Sequence, residues 1–161
     1  MNRFEQIPTE SAEHFPSFEE QFANKEEFEF LGGKVEFVDI KPEHPKNEVP
    51  VLFAPGWGST PEAMKDAIRV MVERGRRVLC LSHATSGGDM GEMDPEIREK
   101  YPEAELRKAL ALNQLLTEKG IEKADVIAHS EGGINTAIAA SVDSENFRNI
   151  IFMNVGGLIG K

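Results

Sequence analysis

Apolar residues follow two patterns that alternate along this chain. Short, mainly apolar stretches, typical of strands buried on both faces of a parallel sheet, occupy residues 49–54, 77–82, 124–129 and 149–153. Between these runs, apolar residues spaced three and four apart predict helices over 61–74, 102–119 and 134–140. Because strand and helix alternate, we predict an α/β fold: a mostly parallel sheet with right-handed crossovers and helices on both faces.

A hairpin is predicted ahead of the alternating units. Residues 28–40 alternate apolar and polar on both sides of Gly32 and Gly33, and these glycines can adopt the positive φ angles of a tight turn. The sheet is therefore expected to open with an antiparallel pair. The next segment, 41–50, contains three prolines and is predicted to be a loop, as is the glycine-rich segment 83–95.

Aromatic residues are concentrated near the amino terminus. Phe15, Phe18 and Phe22 are spaced three and four apart, which predicts a helix with one aromatic face. We interpret residues 1–27 as an acidic, Phe-rich extension that packs its aromatic side chains on a body formed by residues 28–161. The alternative is a docking segment for a partner.

Acidic residues are concentrated in the same region. Residues 1–30 hold eight Glu against Arg3 and Lys25, so they contribute −6 of the formal net charge of −10. A chain with this balance is not expected to bind nucleic acid, because phosphate contacts need clustered Lys and Arg. No apolar run is long enough to span a membrane, and the first residues do not resemble a signal peptide.

The single cysteine, Cys80, excludes an internal disulfide and suits a reducing compartment, so a cytoplasmic location is expected. Its position in the middle of a predicted strand indicates an inert buried residue. No spacing of His, Cys or Asp indicates a metal site, and no glycine-rich loop matches a nucleotide cradle. No metal or cofactor is therefore predicted.

Chemistry is indicated most clearly at Ser130. The apolar strand that ends at residue 129 leads directly into this serine, and a helical pattern follows at once. Such a strand–serine–helix turn is a nucleophile elbow, in which the residues two before and two after the serine must be small; Ala128 and Gly132 occupy these positions. The alternative is a serine that only caps the following helix.

A serine nucleophile needs two rigid donors for the oxyanion that it creates. The backbone N–H of Glu131, which opens the helix, is one candidate. The loop after the strand 49–54 should supply the other, and Gly56 would allow its backbone to approach a ligand closely. We therefore predict the backbone N–H of Trp57 as the second donor; the alternative is an ordinary strand-to-helix turn.

These two segments, residues 51–58 and 126–133, resemble the α/β-hydrolase superfamily. The resemblance covers residues 28–161 in the family's order, from the opening hairpin to the sixth strand. The chain has Pro-Gly at 55–56, where many members have His-Gly, and Ala128, where most have Gly. The resemblance implies a serine hydrolase that transfers the acyl group of a small-molecule ester or thioester to water through Ser130.

The family's catalytic acid and histidine follow the seventh and eighth strands, whereas this chain ends just after the sixth. The resemblance therefore implies a truncated hydrolase that lacks its lid, its acid and its base, and that is nearly inactive alone. Asp143 and Glu145 lie at the wrong end of the helix after Ser130 and are given no role. The exposed edge of the sixth strand is expected to cause self-association.

Two other interpretations stay open. The chain could be a non-catalytic relative that binds a ligand or a partner, or a second polypeptide could supply the histidine. Of the four histidines, His129 precedes the serine on its strand and is predicted to pack in the core. His83 is predicted to bond solvent or backbone rather than to line a pocket, and His14 and His44 are predicted to be exposed.

Overall fold

The computed structural model describes residues 14–83, 95–100 and 103–155. Its strands are β1 (Glu26–Phe30), β2 (Gly33–Ile40), β3 (Asn47–Ala54), β4 (Arg76–Leu81), β5 (Ala124–His129) and β6 (Phe147–Met153). Its helices are α1 (Phe18–Ala23), α2 (Lys65–Glu73), α3 (Pro95–Lys100), α4 (Ala104–Glu118) and α5 (Glu131–Val142), with short 3₁₀ turns at Pro61–Met64 and Ser144–Asn146.

The six strands form one sheet in the order β1-β2-β4-β3-β5-β6. The strand pairs β1/β2 and β2/β4 are antiparallel, and the pairs β3/β4, β3/β5 and β5/β6 are parallel. The predicted α/β class, with a mostly parallel sheet and an opening hairpin, is confirmed. Because β3, β4 and β5 are interior strands, their apolar side chains are buried on both faces, which explains their continuous apolar runs.

Helices cover both faces of this sheet. On one face, α4 and α5 pack on a core that includes Leu52, Leu79 and Val126. On the other face, Phe22 of α1 and Ile68 of α2 pack on a second core, whose sheet members are Val38, Ile40, Val51, Phe53, Val78, Cys80 and Ile127. Consecutive residues of an interior strand therefore belong to different cores.

The hairpin turn differs from its prediction. The turn residues are Leu31 and Gly32, with φ of 49° and 78°, and Gly33 is the first residue of β2. Two positive φ angles in a two-residue loop match the right-handed twist of the flanking strands. The register places Lys34 opposite Glu29, a pairing of opposite charges across the strands that the glycine pair did not reveal.

The predicted loop over 41–50 is also partly wrong, because β3 begins at Asn47. Asn47 pairs with Arg76, and the register then shifts before Val51. Pro50 lies inside this irregular stretch, where the missing N–H of a proline interrupts the ladder least. The proline at position 50 therefore did not exclude a strand.

The aromatic amino-terminal helix is shorter than predicted. It begins at Phe18, behind a capping box at Ser17, so Phe15 precedes it and is 39% exposed. Phe22 is buried, and its ring stacks on that of Phe18 with the centroids 5.6 Å apart. The guanidinium of Arg69 lies 4.2 Å from the Phe18 ring, which joins α1 to α2.

The helix predicted over 102–119 is observed as α4. Leu106 and Leu110 are only partly buried. The buried residues are Arg107, Lys108, Ala109, Ala111, Leu112, Leu115 and Leu116. The helix packs on α5 as well as on the sheet, so its buried arc is wider than an amphipathic pattern on one surface would require.

Candidate active site

Ser130 occupies the turn between β5 and α5 with φ 53° and ψ −124°. Its backbone N–H donates to the carbonyl of Met153 on the neighbouring strand, and its own carbonyl accepts from the N–H of Gly133, both at 3.0 Å. Its side chain makes no capping hydrogen bond to α5. The capping role considered for this serine is therefore not observed.

The end of β3 presses against the first turn of α5. A Cβ added to Gly132 would lie 2.1 Å from the carbonyl oxygen of Ala54 and 2.5 Å from that of Pro55. Ala128 is fully buried and is the residue directly opposite Ala54 in the sheet. Contact with the backbone of Ala54 and Pro55 thus requires a residue without a side chain at Gly132.

The loop after β3 approaches Ser130 itself. A Cβ added to Gly56 would lie 3.2 Å from the Cβ of Ser130 and 3.5 Å from Nδ1 of His129. Trp57 follows with its side chain 81% exposed. Among the residues that the structure describes, neither the N–H of Trp57 nor that of Glu131 donates a backbone hydrogen bond. The structure therefore brings the predicted loop and the predicted serine into contact.

Two buried polar pairs surround the amino-terminal half of α5. Lys108 Nζ lies 2.9 Å from Glu131 Oε2, and the Lys108 side chain is 2% exposed. Asn135 Nδ2 lies 3.3 Å from Nδ1 of His83, and both residues are buried. Thr136 Oγ1 donates to the Gly132 carbonyl at 2.7 Å. These pairs bind the end of β4, α4 and α5 together.

Sequence reasoning missed the first of these pairs. Lys108 precedes Leu112 by four residues and Leu115 by seven, which is the spacing of a single helix face, and both leucines are fully buried. The helical spacing of this lysine from apolar residues was therefore a sequence signal that its side chain is buried. The partner, Glu131, could not be inferred from this spacing because it belongs to another helix.

His83 differs from its prediction because it is buried rather than open to solvent. Burial, and to a smaller extent the nearby Lys108 ammonium, lowers the pKa of His83 to about 3. Its Nε2 and the Oδ1 of Asn135 have no hydrogen-bond partner among the described residues. His83 is therefore a neutral, packed side chain at neutral pH.

Among the described residues, no hydrogen bond joins the Ser130 hydroxyl to another histidine or to the carboxylates of Asp143 and Glu145. His129, predicted to pack in the core, is only partly buried, while His14 and His44 are exposed as predicted. Asp143 caps the carboxyl end of α5, a twelve-residue helix that is about 18 Å long. Glu145 lies beyond it, 3.7 Å from the Lys123 ammonium. Both carboxylates are thus at the far end of the helix.

Cys80 is buried, as predicted, and burial raises the pKa of its thiol. Within residues 14–83, 95–100 and 103–155 no group of three or more His, Cys, Asp or Glu side chains could hold a metal ion. None of the helices described for those ranges is long and apolar enough to cross a bilayer. The cytoplasmic location stays a prediction.

Comparison with known proteins places this geometry in a family context. Residues 49–158 match the family described as the alpha/beta hydrolase fold, a segment that includes most of β3, the loop at Gly56 and the Ser130 turn. No curated protein matches the chain in sequence.

Several solved structures have a similar fold. A probable hydrolytic enzyme from Pseudomonas aeruginosa PAO1 aligns with a TM-score of 0.68 and 20% identity over 84% of this chain and 42% of its own. Epoxide hydrolase A from Mycobacterium thermoresistibile aligns with a TM-score of 0.62 and 22% identity over 80% of this chain and 38% of its own. A structure from work on carboxylesterases of Nitrososphaera gargenis aligns with a TM-score of 0.63 and 18% identity over 84% of this chain and 47% of its own. This chain therefore spans less than half the length of each of these proteins.

Proposed function

This chain belongs to the alpha/beta hydrolase fold family, and we propose that it carries the nucleophile of a serine hydrolase. The proposed reaction transfers an acyl group from a small-molecule ester or thioester to water through Ser130. The similar structures share the fold at identities of 22% or less, so the choice of Ser130 rests on the site itself.

The observation that carries the proposal is the backbone conformation of Ser130. A φ of 53° at a non-glycine residue is strained, at a cost of about 1–3 kcal/mol. The hydroxyl does not offset this cost by capping α5. A nucleophile elbow accounts for the strain, because the sharp turn lifts the hydroxyl away from both the strand and the helix. The close contact of Gly132 with Ala54 supports the same interpretation.

In the proposed reaction, Ser130 Oγ bonds to the substrate carbonyl carbon while its proton passes to a general base. The carbonyl oxygen becomes an oxyanion, which accepts hydrogen bonds from the backbone N–H groups of Trp57 and Glu131. The alcohol or thiol leaves with a proton, and water then releases the acid by the same steps. The base is an imidazole in enzymes of this kind, and we assign that role to none of the described histidines.

A second candidate function is binding without turnover. Within the part of the chain that the structure describes, no histidine bonds to the hydroxyl of Ser130, and His83 is buried beside Asn135. A serine without a base keeps an unactivated hydroxyl. These observations favour a non-catalytic relative that holds an acyl ligand or a partner.

We also propose that the chain self-associates through β6. Among the described strands, none pairs with the outer edge of β6, and Ile151, Phe152 and Met153 on this strand are exposed. The strand contains no proline, and its one charged residue, Arg148, is bonded to Asp125 at 2.6 Å. An edge with unpaired backbone groups and no free charge can accept the same edge of a second copy in antiparallel orientation.

The test of the hydrolase proposal uses the protein expressed from its complete gene and a fluorophosphonate probe. Reaction forms a bond between Ser130 Oγ and phosphorus, breaks the P–F bond, releases fluoride and transfers the hydroxyl proton to a base or to water. We expect peptide mass spectrometry to locate the label on Ser130. We expect Ser130→Ala to abolish both this labelling and the hydrolysis of p-nitrophenyl acetate.

Ser141→Ala is the matched control, because Ser141 is an exposed serine on the same helix. Its labelling and its hydrolysis rate should equal those of the unsubstituted protein. Hydrolysis that survives in Ser130→Ala would contradict the proposal. A protein whose Ser130 does not react with the probe would instead support binding without turnover.

A further inference from the structure

A buried lysine reaches the residue that follows the proposed nucleophile. Lys108 lies on α4, and its Nζ is 2.9 Å from Oε2 of Glu131, the first residue of α5. The Lys108 side chain is 2% exposed and that of Glu131 is 14% exposed. The proposed reaction gives no role to either side chain, since it uses only the backbone N–H of Glu131.

A buried ion pair of this kind is not explained by stability. Removing two charges from water is costly, and their mutual attraction often does no more than offset that cost. A contact without charges between α4 and α5 would hold the helices equally well, as the Asn113 side-chain amide does further along by donating a hydrogen bond of 3.2 Å to the Ala139 carbonyl. The pair at Lys108 therefore needs another reason.

The position of Glu131 supplies one. Its carboxylate belongs to the residue whose N–H is proposed to stabilise the oxyanion, and an uncompensated negative charge there would repel the charge that develops on the substrate oxygen. The ammonium of Lys108 neutralises this carboxylate. Its charge also reaches His83 nearby, where it adds to the effect of burial in lowering the pKa.

We infer that Lys108 is a positioning residue of the proposed active site, which neutralises the Glu131 carboxylate and holds it away from the oxyanion. The inference rests on the proposed function, because it presupposes that Ser130 is the nucleophile. Lys108 itself does not touch the substrate; it acts through Glu131.

The test compares second-order rate constants for fluorophosphonate labelling of Ser130, corrected for the folded fraction by near-UV circular dichroism. In Lys108→Met the carboxylate is left unpaired, and we expect labelling to slow by about tenfold or more. In the double variant Lys108→Met/Glu131→Gln the carboxylate is absent, and we expect the rate to recover to within about threefold of the unsubstituted protein. A structural role for the lysine alone predicts no such recovery.

Lys119→Met is the matched control. Lys119 ends the same helix and forms ion pairs with Glu26 and Asp39, at 2.9 and 3.1 Å, at the opposite end of α4. We expect this variant to lower stability but to leave the rate constant for labelling of Ser130 within about twofold of that of the unsubstituted protein. If Lys108→Met does not fold, Glu131→Asp replaces it, because the shorter carboxylate keeps the charge but does not reach Lys108; about fivefold slower labelling is then expected.

The outcomes separate the two proposals. If Lys108→Met, or its substitute Glu131→Asp, is labelled at the same rate as Lys119→Met, the role of Lys108 is overturned. The proposed function is not affected by that result. A double variant as slow as Lys108→Met also overturns it, because the loss would not come from the unpaired carboxylate. Absence of label from Ser130 in the unsubstituted protein overturns the proposed function, and the inference falls with it.

Discussion

Gly132 packs so closely on Ala54 that a Cβ added to it would lie 2.1 Å from the Ala54 carbonyl oxygen. The two residues are far apart in sequence, and the contact joins the carboxyl end of β3 to the first turn of α5. Because Ser130 lies two residues before Gly132, this contact determines how far the serine stands from the loop at Gly56.

Gly132→Ala should therefore be strongly destabilising. The added methyl meets backbone atoms, which cannot rotate away, so we expect the free energy of unfolding to fall by about 3 kcal/mol or more. Urea denaturation measures this loss. The control is Gly120→Ala: Gly120 has a φ of 61° but nothing within 4 Å of an added Cβ, so only about 1–2 kcal/mol of backbone strain is expected. Equal losses in both variants would show that the Gly132 contact is not tight.

Ser130→Gly should stabilise the protein, although it removes the proposed nucleophile. Glycine adopts a φ of 53° without strain, and the serine side chain does not cap the helix, so we expect a gain of about 1 kcal/mol in the free energy of unfolding. Ser130→Ala keeps a Cβ and should change stability by less than about 0.5 kcal/mol. Chemical denaturation of the three proteins tests this. A glycine variant no more stable than the alanine variant would mean that residue 130 is unstrained.

The buried imidazole of His83 should make stability fall in mild acid. Burial lowers its pKa from 6.5 to about 3, with a smaller contribution from Lys108. Between these values the unfolded chain binds a proton that the folded chain does not, so the free energy of unfolding decreases as the pH falls from 6.5 towards 3. His83→Gln removes this proton uptake, and a plot of unfolding free energy against pH should become shallower over that interval. Parallel plots for both proteins would contradict the burial of His83.

The β6 edge should mediate self-association that a single charge prevents. Ile151→Lys places a charge on the edge strand, and we expect it to lower the average mass measured by sedimentation velocity over a series of protein concentrations. Val142→Lys is the matched control, because Val142 on α5 is also 56% exposed but does not lie on a strand. A monomer at all concentrations, or equal effects of both substitutions, would count against an interface formed by this edge.

The strands were predicted best where the signal is local. The mainly apolar stretch at 124–129 is β5 without any change in its bounds, because an interior strand needs apolar residues on both faces whatever its partners are. The strand, the serine and the small residues Ala128 and Gly132 could be identified in the same way, since the turn that they form lies within a few consecutive residues.

Predictions failed where the answer lay in a distant segment. The start of β3 at Asn47 depends on pairing with Arg76, and the turn at Leu31 depends on the register between β1 and β2. His83 was expected to bond solvent or backbone because a loop was predicted to follow its strand, but it is buried, and the side chain of Asn135 lies within hydrogen-bonding distance of its ring.

The sequence by itself determined the fold class, the order of the six strands along the chain, and the serine at the turn, because each follows from spacing within one segment. Only the tertiary structure decided which side chains meet at that turn. The contact of Gly132 with Ala54 and the ion pair of Lys108 with Glu131 join residues from different elements. Their existence depends on how α4 and α5 pack against the sheet, and periodicity along one element carries no information about that packing.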